Sequence, residues 1–367
     1  MVRFLLAVLL LILVGCFGRE NRSVYGEEAF KIDTVLVSLP SSVSSTLILP
    51  HVFEYSNKEC VLFYDHFDHG LVIIDLSEER FIKKINLAKE GPDFVESVGS
   101  MAVTEEGSII IAGLNSITEV NFEGKVLSRL GINSYRNDLK GIDFDKYELQ
   151  YNQYSGLQYD ELNKTILMGV NPLAQTLLQN YTESTVAEIS LSDGVVRLLP
   201  VFIPDSYRAL SGNYGDLFKV GPIRKRGRII FNFPLSSEVF IHHENTTKSI
   251  HLESQWSDDM ADPIIDFSQG SDMARYTHKI KEVNYFPLVF DDFRERYYRI
   301  HRAAREGVED SGQYYLTLAD RNMNKIMELP FPQGYYIFSI VSERGLMFNA
   351  INKHESKLEL IRYTFEL

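Results

Sequence analysis

Residues 61–87 read VLFYDHFDHGLVIIDLSEERFIKKINL. Three apolar runs, Val61–Tyr64, Leu71–Leu76 and Phe81–Leu87, are separated by short stretches of Asp, His, Gly, Ser and Glu. Runs this short, rich in β-branched and aromatic side chains and bounded by turn residues, are strands rather than helices. Asp65–Gly70 is the hairpin between the first two. Such a unit is one small antiparallel sheet, and it cannot bury both of its faces alone.

The same grammar returns five times. The second unit is Met101–Val103, Ser108–Ala112, Ile117–Phe122 and Lys125–Leu130, with Glu105-Glu106-Gly107 and Glu123-Gly124 as turns. The third comprises Gly156–Tyr159, Thr165–Gly169, Thr185–Leu191 and Val195–Val201. The fourth comprises Leu217–Val220, Arg228–Phe233, Glu238–His243 and Ser249–Leu252. The fifth is Glu282–Phe290, Tyr297–Ala303, Tyr314–Asp320 and Lys325–Leu329. The sixth has three strands, Tyr336–Val341, Gly345–Asn352 and Leu358–Phe365. A period of about 40–55 residues built from four-strand units is the signature of a β-propeller, in which radial stacking buries each sheet between its neighbours. The expected fold is therefore all-β, a propeller of six blades of four antiparallel strands. The N-terminal strand Ile32–Leu39 supplies the missing fourth strand of the last blade and closes the ring. Two polar insertions, Asn133–Tyr154 and Gln255–Lys281, interrupt the pattern at places where such scaffolds carry binding surfaces.

The first residues are of another kind. Arg3, the apolar run Phe4–Val14 and Gly15 form a secretory signal peptide. The run is too short to span a bilayer, which takes about 20 apolar residues. Leu13-Val14-Gly15-Cys16 looks like a lipoprotein lipobox, which would make Cys16 the acylated N-terminus of the mature chain. The chain is thus divided into signal peptide (1–15), lipidated tether (16–29) and a single propeller domain (30–367). The tether of about a dozen residues reaches roughly 40 Å at full extension. The expected location is the bacterial cell envelope, lipid-anchored at the outer membrane.

A net charge of −13 argues against nucleic acid, which requires a clustered basic surface. With Cys16 acylated, Cys60 is the one remaining thiol, so no intramolecular disulfide is available. Cys60 sits in a strand-like run and reads as a small buried hydrophobe.

Four candidate metal ligands, Asp65, His66, Asp68 and His69, crowd the first hairpin, and imidazole with carboxylate suits a divalent cation. Turns also favour Asp and His for backbone reasons alone. Asp258–Asp272 offers carboxylates to calcium without the spacing of a calcium loop. Tyr298, Arg299, His301 and Arg302 form a strand rich in aromatic and basic groups. Alternation puts Tyr298, Ile300 and Arg302 on one face, with Tyr297, Arg299 and His301 on the other. An Arg near the propeller axis would pair with an anionic ligand; the same residues would equally serve packing between blades. His242 and His243, adjacent on a strand, point to opposite faces. No nucleophile elbow, zinc-helix motif, phosphate loop or dinucleotide fingerprint is present, and no cofactor is predicted beyond that divalent cation.

Lys89-Glu90-Gly91-Pro92-Asp93 leading into Ser100–Ala112, together with Val289–Arg299, resembles the uncharacterised TolB-like six-bladed β-propeller lipoproteins of the Bacteroides phylum. The resemblance implies fold and envelope location and carries no activity. The functional expectation is a lipid-anchored binding module for a partner protein or envelope ligand, attached to the membrane through Cys16. The alternative is an envelope hydrolase or lyase that uses a polar central channel, with or without a divalent cation.

Overall fold

The computed structural model describes residues 30–132, 138–151, 154, 156–172, 182–208, 220–244, 246–254, 256, 284–303, 313–351 and 356–366. Cys16, the tether and nearly all of Gln255–Lys281 lie outside these residues. Strand β1 (Phe30–Ser38) comes first in the chain and belongs to the last blade. Blade 1 is β2 (Leu47–Tyr55), β3 (Lys58–Asp65), β4 (Gly70–Asp75) and β5 (Arg80–Asn86). Blade 2 is β6 (Ser100–Val103), β7 (Ser108–Ala112), β8 (Ser116–Asn121) and β9 (Val126–Gly131). Blade 3 is β10 (Tyr147–Gln150), β11 (Gln158–Asp160), β12 (Thr165–Pro172), β13 (Val186–Ser190) and β14 (Val196–Leu198). A single helical turn, α1 (Asp205–Arg208), precedes blade 4, which is β15 (Ile223–Lys225), β16 (Arg228–Asn232), β17 (Glu238–His243) and β18 (Thr246–His251). Blade 5 is β19 (Asn284–Tyr285), β20 (Val289–Asp291), β21 (Arg296–Arg302), β22 (Tyr314–Ala319) and β23 (Lys325–Pro330). Blade 6 is β24 (Tyr335–Ser342), β25 (Gly345–Ala350), β26 (Lys357–Phe365) and β1. The six sheets stand in a ring, a six-bladed β-propeller.

The expected closure is present. β1 pairs β26 antiparallel from Phe30↔Phe365 to Ser38↔Lys357, so the first strand of the fold completes the last blade.

The core explains why the second and third strands of a blade read as continuous apolar runs. Every residue of Cys60–Asp65 and Gly70–Asp75 is buried. Because side chains alternate, Val61, Phe63, Val72 and Ile74 face blade 6, while Cys60, Leu62, Leu71 and Ile73 face blade 2. The same division holds around the ring. Six hydrophobic clusters fill the six junctions: blades 6 and 1, 1 and 2, 2 and 3, 3 and 4, 4 and 5, and 5 and 6. The hydrophobic stabilisation therefore resides in the junctions between blades. Cys60 is fully buried, and burial pushes its thiol up to about 11, well away from nucleophilic use.

Several expected boundaries are corrected. β2 is an additional strand, set apart from its neighbours by Pro50 and a bulge between Ile48 and His51. Within the polar insertion Asn133–Tyr154 lies β10, which shares the inner edge of β12 with β11. The inner strand described in blade 4 is Ile223–Lys225; of the expected strand Leu217–Val220, residues 217–219 lie outside the described residues. The single run Glu282–Phe290 is two short strands interrupted around Pro287, which has no N–H to donate to a ladder.

Candidate functional site

The metal-like cluster of the first hairpin is one copy of a repeated turn. Asp65↔Gly70, Asp75↔Arg80, Asp160↔Thr165 and Asp291↔Arg296 each close a four-residue loop. In each, the fourth loop residue is left-handed: His69 (φ 54), Glu79 (φ 54), Lys164 (φ 49) and Glu295 (φ 53). In each, the leading aspartate accepts backbone N–H groups of its own loop, at 2.9 Å from both Ser77 and Glu78 to Asp75. Asp65 is fully buried and Lys84 binds it at 2.9 Å and Asp68 at 2.8 Å. The His69 ring bridges the Tyr64 hydroxyl (2.9 Å) and the Val95 carbonyl (2.6 Å), and His66 packs edge-on against Tyr64. The two carboxylates thus share Lys84 and the two imidazoles meet Tyr64, so the four side chains are engaged by neighbouring side chains of the blade. Among the described residues no three His, Cys, Asp or Glu side chains are placed to hold one metal ion.

The basic-aromatic strand is likewise distributed between junctions, with the alternation expected of it. Tyr298 and Ile300 face blade 6, and the Tyr298 hydroxyl donates to Asp291 at 2.8 Å. Arg299 faces blade 4 rather than the axis. Its guanidinium donates to the carbonyls of Ser237 (3.0 Å) and Leu252, and lies 4.5 Å over the Tyr285 ring. His301 is fully buried between the rings of Tyr285 and Tyr315, with Ser254 at 2.9 Å and Glu328 at 3.3 Å from the same ring nitrogen. Burial, assisted by Arg299 and Lys325, lowers its imidazole to about 3 and holds it neutral. A relay needs the serine and the acid on opposite ring nitrogens, so this arrangement is a packing device. Arg302 is buried at the end of the same strand.

The axis is where side chains from non-adjacent blades meet. Tyr154 of blade 3 stacks on Phe338 of blade 6 (5.8 Å) and meets Phe286 of blade 5 edge-on (5.0 Å). Blades 3 and 6 are opposite in a six-membered ring, so these rings cross the axis and plug it. Gly156 of blade 3 also crosses, and a Cβ there would stand 3.4 Å from His51 Nδ1 of blade 1.

Beyond the plug, toward the end where the inner strands run out, the axis opens as a cleft of about 650 Å³. Three consecutive inner strands, β20, β24 and β2, form its walls. A neighbouring cleft of about 710 Å³ lies between β2 and β6, and the segment His51–Glu54 lines both. The mouth carries Phe53, Phe290 and Phe293 with the carboxylates of Glu54, Glu59, Asp292 and Glu343. Burial pushes the Glu59 carboxyl above its ordinary range; the N–H of Glu343 opposes this and its carboxylate reinforces it.

His51 is placed by strain. Leu49 (φ 55) is left-handed inside a strand, whereas every other described non-glycine residue with positive φ lies in a turn. This kink, with Pro50 and the bulge, turns His51 toward the axis. His51 Nε2 accepts the N–H of Val103 at 3.2 Å, which leaves the ring proton on Nδ1. The ring borders the cleft and so keeps some exposed surface, yet it lies deep in the ring, and burial lowers it to about 4. A neutral imidazole therefore borders the cleft, with its Nδ1 toward Gly156.

A belt of polar contacts holds the hairpins around this mouth. Lys164–Glu106 joins blades 3 and 2 (2.8 Å), and Arg224–Asp160 joins 4 and 3 (2.8 Å). Arg226–Glu295 and Lys225–Asp292 join 4 and 5. Arg294 donates to the carbonyls of Ser342 (3.0 Å) and Glu343 (2.6 Å), and the Glu343 N–H donates to Glu59 (2.8 Å). Between blades 1 and 2, Lys83 lies over the rings of Tyr55 and Phe122. Exposed pairs contribute little stability, about 0–1 kcal/mol each, so the belt serves mainly to orient the hairpins.

Residue patterning did not single out His51, Glu54 or Glu343. The available signal was Pro50 beside a histidine in an otherwise strand-like run, which marks a bulge.

In fold, the chain is similar to a Bacteroides vulgatus member of the DUF4221 family, with 16% identity, TM-score 0.75, and 93% of this chain and 99% of that one covered. It is also similar to a Bacteroides fragilis protein described as a candidate exported protein, with 9% identity, TM-score 0.58, and 95% and 98% covered. No curated protein matches. The family model described as "Domain of unknown function (DUF4221)" matches residues 23–330, which span blades 1 to 5 and the closing strand, and the chain belongs to that family.

Proposed function

We propose that this protein is a cell-envelope binding module, lipid-anchored through Cys16, that holds its ligand in the axial mouth. The observation that carries this reading is the cleft, an opening of about 650 Å³ with mixed aromatic and carboxylate walls at the mouth end of an axis crossed by aromatic rings. That volume is in the range of small-molecule or side-chain sites, about 300–1,000 Å³. The plug occupies the axis along which a hydrolase or lyase would need its polar groups, which favours binding over catalysis.

Strand direction supports the anchor's role. β24 runs toward the mouth, β25 away, β26 toward it and β1 away again, so Phe30 enters the fold at the mouth end of the rim. A lipid on Cys16 would thus attach the chain to the membrane from the mouth end of its rim. The description of the B. fragilis protein as a candidate exported protein is consistent with an envelope location. Cys16→Ala is expected to move the protein from the membrane to the soluble fraction; unchanged sedimentation with membranes would refute the anchor.

For the cleft, Ser339→Trp on β24 fills the opening from its wall. Native mass spectrometry of wild type and variant after incubation with envelope extract should show at least about tenfold less retained ligand in the variant, at unchanged melting temperature. Equal retention would remove the cleft as the site. Val52→Trp provides the same test should Ser339→Trp fold poorly.

A further inference from the structure

We infer that the axial mouth recognises an alkylammonium group, a protonated amine on an aliphatic chain. This inference rests on the reading of the cleft as a binding site and specifies what it binds.

The charges of the mouth are unbalanced. Asp292 is paired with Lys225, but Lys58, the one lysine lining the cleft, is drawn outward to Asp75 (3.1 Å) and Glu78 (2.6 Å). Among the described residues Glu54, Glu59 and Glu343 face the cleft without a direct salt bridge, Arg294 and Arg344 acting on Glu59 only through space, and Glu105 adds a fourth carboxylate in the adjoining cleft. The β2–β3 register sets Glu54 directly across from Glu59. Like charges opposed in an antiparallel pair are destabilising, and a bound cation relieves them. A recess in which carboxylates outnumber cations also concentrates positive ions.

The walls select among cations. Phe53, Phe290 and Phe293 line the same opening, and Phe293 is 54% exposed, a large apolar side chain left toward solvent at the rim. Aromatic faces accept an ammonium by cation–π attraction and an aliphatic stem by apolar contact. The fold already shows the pattern at this rim, where the Lys225 ammonium sits 4.9 Å from the centroid of Phe290 while pairing with Asp292. A metal ion would need carboxylates converging at ligand distance, which the described residues do not provide. A neutral sugar would leave the carboxylates uncompensated, and an anion would be repelled.

The test is isothermal titration of the mature chain at low salt with three probes: 1,5-diaminopentane, Nα-acetyl-lysine methylamide and pentane-1,5-diol. At least one amine should bind about tenfold or more tightly than the diol, and its affinity should fall as sodium chloride is raised. The double variant Glu54→Gln, Glu343→Gln should weaken amine binding by about tenfold or more. Preference for the diamine assigns a free amine as the ligand; preference for the lysine derivative assigns a lysine side chain of a partner. Equal binding of the diol, amine binding unaffected by the double variant, or no amine binding would each overturn the inference. If Ser339→Trp still abolishes retention of an envelope ligand in that event, the cleft remains the site and only the ligand class fails.

Discussion

A chain lacking residues 30–38 is expected not to fold cooperatively, whereas a chain lacking residues 16–29 should unfold at the wild-type urea midpoint. The difference follows from where β1 lies. It supplies the nine-residue ladder to β26 and places Val35 and Val37, both at most 4% exposed, in the cluster between blades 6 and 1. Burial of those two valines alone contributes about 3–6 kcal/mol, against a typical total stability of about 5–15 kcal/mol. Loss of β1 also leaves the edge of β26 unpaired and opens the junction that makes the array a closed ring. Far-UV circular dichroism with urea titration distinguishes the two truncations. A shared midpoint would show that the ring does not depend on its closing strand.

The second large effect is expected at Arg299. Arg299→Met keeps an unbranched stem in the junction but removes the guanidinium's hydrogen bonds to the carbonyls of Leu252 and of Ser237, the latter keeping the Leu252 N–H at 3.1 Å, and removes the cation from the face of Tyr285. Hydrogen bonds from a charged group contribute about 1.5–3 kcal/mol each, so a loss of about 3–5 kcal/mol is expected. It should appear as a lower denaturant midpoint with unchanged slope. Arg321→Met, at an exposed turn, should change stability by less than about 0.5 kcal/mol. Equal effects at the two positions would contradict the assignment of Arg299 to the interior of a junction.

Legibility in the sequence follows the physics of the positions. Second and third strands are buried on both faces, so Val61–Tyr64, Leu71–Leu76 and Ser108–Ala112 stand out as apolar runs. The inner strands are short, bulged or split, because they line the axis and carry polar groups. β2, β10 and the broken pair β19 and β20 were accordingly missed or misplaced. Closure by the N-terminal strand was legible because the sixth unit is one strand short and an apolar alternation precedes the first. Tyr298, Arg299 and His301 attracted notice through their chemistry, and the alternation assigned to them is the observed one. Which neighbour each face meets depends on the ring, and sequence order alone does not show that a second strand is remote from the axis. The Asp65–His69 cluster misleads for a related reason: a carboxylate that caps its own turn has the same signature as a metal ligand until the repeats at Asp75, Asp160 and Asp291 are aligned with it. The mouth itself joins Glu54, Asp292 and Glu343, which lie far apart in sequence and meet only once the ring has closed.

The central claim is that the ligand of this propeller sits at the mouth end of its plugged axis. Hydrogen–deuterium exchange of the mature chain, with and without the ligand retained from envelope extract, tests it most directly. Protection confined to the mouth segments 51–59, 289–293 and 339–343 is the result this account predicts. Protection restricted to the outer strands or to the opposite end of the ring, with those three segments unchanged, would contradict it.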